Sequence, residues 1–278
     1  MIDETRPDDT GSLQSQPDDA AGISKSAKIP IEIRTVPPAE FPRGFWRQVD
    51  YTLHHPEEIS ESLHRDDQSW RIVRIMFVIS LIMAAVYGGV MGATNLLQGS
   101  EMAVSSKFLL ILVTATKVPV LFLLTLVIVV FPIYVSNAFV GARLSFGQVS
   151  GFLVTACAVT TVALASMATV ALFFSLTSVS YHFIKLLHVL MFVYAGVTGL
   201  VYLNRALGTA AIRLGRPAPG KLFIIWLLLY MFVGTQLAWV LRPFVGSPGE
   251  PFQIFRPRYG NFYESVLHSL GEFMRSID

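Results

Sequence analysis

Six histidines, one cysteine and a few polar side chains set in apolar surroundings are the residues of this 278-residue sequence that could carry chemistry. His54, His55 and His64 stand near Glu57 and Glu58, and imidazoles with carboxylates can ligate zinc. Their spacing matches no strong ligand pattern, so no metal site is assigned. His188 lies inside an apolar run and could carry a proton; it reads more simply as a satisfied polar group or an interfacial residue. Asn137, Gln236 and His188, with Pro132, could line a path across an apolar body. The simpler reading of the three polar groups is hydrogen bonding between helices. Cys157 is the sole cysteine, so no intrachain disulfide can form.

What is missing narrows the chemistry further. Between Arg71 and Arg242 there is no Asp, and the single Glu, Glu101, falls in a predicted loop. Proton- or sodium-coupled carriers usually hold the coupling ion with an intramembrane carboxylate. Aspartyl proteolysis needs two acids, zinc proteolysis an HExxH-like pair, and a serine mechanism a placed base. The sequence has no P-loop, no GxGxxG in a strand context and no haem-type cysteine motif. It predicts no catalytic residue, no cofactor and no enzyme.

The elements that hold these residues are set by hydropathy. Hydrophobic residues are 53% of the chain and charged residues 14%, and the mean hydropathy is +0.56. A soluble domain carries nearer a quarter charged residues. From Pro119 to Asn137 no charge occurs, a run about long enough to cross a hydrocarbon core of roughly 30 Å. Five such spans are predicted, near 72–97, 118–140, 149–176, 183–203 and 222–241. The expected fold is an all-α polytopic membrane bundle. Its domains are a disordered acidic tail over 1–40, an interfacial amphipathic lead-in over 41–71, the five-span domain over 72–245 and a Pro- and aromatic-rich segment with an amphipathic helix over 246–278.

Details refine this plan. Gly88 and Gly92 form a GxxxG that lets two backbones approach, within the chain or between two copies. A continuous helix from Lys107 to Arg143 would reach roughly 55 Å. Lys117, costly at mid-membrane, is therefore placed at a boundary, with 108–116 interfacial or re-entrant. Pro132 should kink the crossing that follows. Phe45, Trp46, Val49 and Leu53 recur on one helical face ahead of the first span. Asn261 and Glu264 form a capping-box-like pair opening a last helix, with Phe262, Val266, Leu270, Phe273 and Ile277 on one face. Arg242, Pro243 and Phe244, with Phe252, Phe255, Arg256 and Arg258, form a candidate recognition surface.

Charge is segregated too. From Arg71 to Arg242 there are eleven Lys or Arg, whereas the first twenty residues hold six acids and one base. The bases are scattered between spans and form no stripe, which argues against nucleic-acid binding. Positive-inside bias puts the N-terminus, the Arg143 turn and the Arg205–Lys221 loop in the cytoplasm and the C-terminus on the opposite side.

Five spans, a polar cytosolic N-terminal region and the Pro-containing helix HHPEEISESL ahead of the first span resemble the Yip family, as does the KVP…FP pattern at Lys117, Pro119 and Pro132. These are Rab-interacting multispan proteins with bacterial relatives. The likeness covers about Trp46 to Arg242. No DLYGP-type sequence, associated with the eukaryotic members, precedes the first span. With the acidic start and long aromatic tail, this implies a bacterial relative in an inner membrane. The expected task is a non-enzymatic scaffold or organiser of unidentified protein partners, with a passive channel or permease-like component as the alternative. The lipid bilayer is a partner in either case.

Overall fold

The computed structural model describes residues 41–64, 66–97, 104–139, 144–178, 180–213, 220–242, 244 and 260–275. Among these, nine helices and no strands occur: α1 Phe45–His54, α2 Pro56–His64, α3 Asp66–Leu97, α4 Val104–Phe139, α5 Phe146–Ser166, α6 Ala168–Thr177, α7 Tyr181–Arg213, α8 Gly220–Leu241 and α9 Phe262–Arg275. Five stretches are long and apolar enough to cross a membrane: Trp70–Thr94, Val104–Phe139, Phe146–Thr177, Tyr181–Gly208 and Ile224–Leu241. The third is α5 and α6 in sequence, interrupted at Met167.

Packing is organised by two faces of α3. One face carries Gly88 and Gly92, and α4 lies against it. A Cβ at Gly88 would stand 2.6 Å from the Thr114 carbonyl oxygen, and one at Gly92 would stand 2.8 Å from the Ile111 Cα. Only glycine allows this approach, so the GxxxG is used inside the chain. The other face repeats a polar residue every seven positions. Ser80 meets Cys157 of α5 at 3.3 Å, Tyr87 meets His188 of α7 at 2.7 Å, and Thr94 meets Ser175 of α6 at 3.1 Å. Each polar group thereby finds a partner on a different helix, which lipid could not supply.

Helix α5 is central. Every residue from 151 to 160 is buried. Its surface is small, and its hydroxyls are satisfied locally: Thr155 donates to the Gly151 carbonyl and Thr160 to that of Ala156. Such threonines sit in an apolar core without an orphan donor. On α7, a Cβ at Gly199 would run into Thr160 Oγ1. A Ser145–Gln148 capping box starts α5 by satisfying two backbone donors.

The sequence reading breaks the second block at Lys117, and here the structure differs. Helix α4 runs unbroken for 36 residues, with Pro119 and Pro132 inside it. Its first half packs antiparallel along the glycine face of α3 and runs on without a break, so no separate interfacial or re-entrant helix forms over 108–116. With Gly92 opposite Ile111 and Gly88 opposite Thr114–Val118, Lys117 lies some 12 Å inside the end of the first span. It is buried at 6% exposure instead of standing at a boundary. The fourth span also departs from expectation. Helix α7 continues to Arg213, so Arg205 and Arg213 extend a helix where the reading has a loop.

The lead-in is part of the core. Ile59 and Leu63 of α2 are 1% exposed and pack with Ile72, Val149, Phe152 and Leu203. Ser60 donates to the Ala206 carbonyl at 3.0 Å. In α1, Val49 and Thr52 face inward while Trp46 and Leu53 stay exposed, so the expected apolar stripe is divided. Tyr51 donates to Glu58 and ties the two helices. Burial, then the hydrogen bond and charge of Glu58, hold its phenol above the ordinary range. The expected disordered tail over 1–40 lies outside the described residues.

Gly88→Val should destabilise the bundle by at least about 1–3 kcal/mol, since backbone occupies the space its side chain needs. Gly208→Ala, with nothing within 4 Å of its Cβ, should not. Thermal unfolding in detergent, followed by loss of monodisperse protein, checks the pair.

Candidate functional site

Helix α8 packs on α4 and barely on α7. The gap between α7 and α8 is a cavity of about 440 Å³, within the usual range for small-molecule sites. Its walls come from one face each of α4, α7 and α8. On α7 the lining residues Lys185, His188, Val189, Phe192, Gly196 and Val197 recur at three and four positions. On α8 they are Tyr230, Met231, Gly234, Thr235, Ala238 and Trp239, with Arg242 just beyond. Gly196 and Gly234 widen the passage, and no Cβ at Gly196 would touch anything within 4 Å.

The cavity is chemically two-ended. Its length is lined by Leu121, Phe122, Phe192, Val197 and Met231, whereas Lys185, Arg242, Trp239 and Ser265 gather at the end where α7 starts and α8 stops. Arg242 lies over the Trp239 ring, its Cζ 3.6 Å from the centroid, a cation–π arrangement. No carboxylate is among the described lining residues.

Helix α9 closes that end. Asn261 accepts from the Glu264 amide at 2.9 Å and Glu264 accepts from the Asn261 amide at 3.2 Å, so the expected capping box forms. Gly260 at φ +70° turns the chain into it. Lys185 Nζ donates to Ser265 Oγ at 2.7 Å and Ser269 Oγ at 2.9 Å. Trp239 Nε1 donates to the Gly260 carbonyl at 3.2 Å. The ends of α7 and α8, which hardly meet each other, are thus both tied to α9. Its inward face is Phe262, Ser265, Val266, Ser269 and Phe273. Leu270, expected on that face, is exposed with Tyr263, Leu267 and Met274.

The residues singled out by sequence are dispersed. His188 is buried, not interfacial, and is half satisfied: Nδ1 bonds Tyr87, while Nε2 has no partner. It lines the cavity, as do Arg242 and Phe244, whose carbonyl accepts from Thr114 at 3.2 Å. Asn137 is buried near the far end of α4, its Nδ2 without a partner. Gln236 is partly buried and not among the lining residues, and Pro132 is exposed toward lipid. Pro243, Phe252, Phe255, Arg256 and Arg258 lie outside the described residues. Of the N-terminal histidines, His54 pairs with Asp50 and His55 with Glu58, each at 3.2 Å. No metal-holding group of three appears among the described residues.

Lys185, Tyr87, Trp239 and Ser265 were not singled out by sequence. The available signal was positional: Lys185 and Arg242 begin and end two spans on the same side, and Ser265 and Ser269 put hydroxyls on an otherwise apolar face.

The fold and its lipid-facing apolar surface define a multi-pass integral membrane protein with five spanning segments. No family model, curated protein or solved structure matches the chain.

The double substitution Ser265→Ala, Ser269→Ala leaves the Lys185 ammonium short of two acceptors. It should weaken α9 docking by about 1–3 kcal/mol, read as faster backbone hydrogen exchange in α9 with exchange in α5 unchanged.

Proposed function

We propose that this chain is a non-enzymatic membrane organiser that presents its terminal regions to protein partners. The observation that carries the proposal is the treatment of its ends. Helices α1 and α2 are fastened beneath one end of the bundle and α9 across the other. Between them three buried polar pairs join the helices: Ser80 with Cys157, Tyr87 with His188, Thr94 with Ser175. Such a bundle makes a rigid mount. The acidic sequence before residue 41 and the exposed Trp46 and Leu53 provide material for contacts. A Yip-like ancestry, a cytoplasmic N-terminus and a bacterial inner-membrane location belong to the same proposal.

The channel alternative draws its support from the cavity beside His188. Against it, Asn137 and Gln236 do not share that cavity, and Val129, Val130 and Ile133 fill the bundle beyond it. A dimer through Gly88 and Gly92 would have to displace α4.

In-cell crosslinking with mass spectrometry should capture a defined partner that is lost on deletion of residues 1–40, a deletion that spares the described packing. Capture of no partner by either protein, together with solute flux in liposomes, would overturn the organiser reading. A reporter at Asp278 should report the non-cytoplasmic side; a cytoplasmic signal reverses the orientation.

A further inference from the structure

We propose that the α7–α8 cavity is a binding site for one anionic glycerophospholipid of the surrounding leaflet, with an acyl chain along the slot and the phosphate at Lys185 and Arg242. This is independent of the organiser reading and rests on the shape, charge and opening of the cavity.

Length comes first. The wall from Tyr230 to Arg242 rises about 18 Å, close to half of a roughly 30 Å hydrocarbon core. The slot therefore spans one leaflet, with its cationic end where headgroups lie. The opening is lateral: Val193, Val197 and Met231 line the cavity and are also 38–49% exposed on the lipid-facing surface. A lipid enters sideways between α7 and α8 without crossing water.

Charge selects the headgroup. Lys185 and Arg242 line the same end of one cavity, where two like charges repel each other. Ser265 and Ser269 satisfy Lys185 as a donor but leave its charge uncompensated. An anion relieves that repulsion, and a guanidinium suits a phosphate.

A second polar contact lies deeper. His188 is 2% exposed, lines the cavity and has Nε2 without a partner. The phenol of Tyr87 is a better donor to Nδ1 than to the Met191 thioether 3.5 Å away. With the phenol donating to Nδ1, the ring proton sits on Nε2, where it can donate to an ester carbonyl one helical turn below the phosphate.

Gly196→Leu is the informative variant, because the added side chain enters the slot and its Cβ meets no neighbour. Full-length protein is taken from vesicles of equal parts phosphatidylglycerol and phosphatidylcholine, and retained lipid is counted by native mass spectrometry. One phosphatidylglycerol should be retained several-fold over phosphatidylcholine. Arg242→Gln should lower that retention about tenfold. Gly196→Leu should abolish it with the unfolding temperature unchanged. Equal retention of the two lipids, undiminished retention in Gly196→Leu, or retention of added palmitate in place of phosphatidylglycerol would each overturn the proposal.

Discussion

How closely α3 can be approached decides the arrangement of the other helices. Lipid tails are as apolar as the side chains they touch, so burial alone gives spanning helices little reason to associate. Close backbone contact and paired polar groups must supply it. Helix α3 offers both, on separate faces. Gly88 and Gly92 admit α4, while Ser80, Tyr87 and Thr94 reach α5, α7 and α6 in turn. The seven-residue interval is close to two helical turns, which keeps all three on one side. The break at Met167 belongs to this pattern. It separates Cys157, partner of Ser80, from Ser175, partner of Thr94, and both still face α3.

Much of this plan was legible in the sequence, and what was not has a physical cause. Hydropathy locates a span whichever way it faces, so the five crossings and the Asn261–Glu264 cap were readable. The GxxxG was also readable as a close approach, but spacing encodes distance and not the identity of the approaching helix. Lys117 misled for a related reason. A lysine facing lipid has no polar partner, whereas one turned into a bundle can meet polar groups of other helices, and sequence does not say which of these a given helical face meets. Once α4 lies on the glycines of α3, Lys117 faces inward and the helix has no reason to stop. The polar heptad on α3 was missed because Ser, Tyr and Thr singly are ordinary in a spanning helix. Their meaning lies in their partners, 77 to 101 positions away along the chain.

The ends of the chain show the same dependence on context. Apolar periodicity in α1 and α9 was enough to expect a surface helix, yet each element divides its apolar residues between two environments. In α1, Val49 goes to the core and Trp46 outward; in α9, Val266 is inward and Leu267 outward. A soluble amphipathic helix has one apolar face because its other side is wet. At a membrane boundary both sides can be apolar, provided a polar strip lies between or within them. Ser265 and Ser269 form such a strip in α9, and it lands on Lys185.

That contact links the architecture of the bundle to the character of its cavity. Helix α8 has little hold on α7, so something else must fix their separation. Trp239 and Lys185, one from each helix, are both fastened to α9. Attachment through a third helix lets the two spans remain apart, whereas direct packing would close the space between them. The same arrangement places the Lys185 ammonium and the Arg242 guanidinium at one mouth, among hydroxyls, an indole and no described carboxylate. Neutral acceptors make the Lys185 ammonium tolerable there without cancelling its charge. The device that holds the slot open is therefore also the device that makes its end positive.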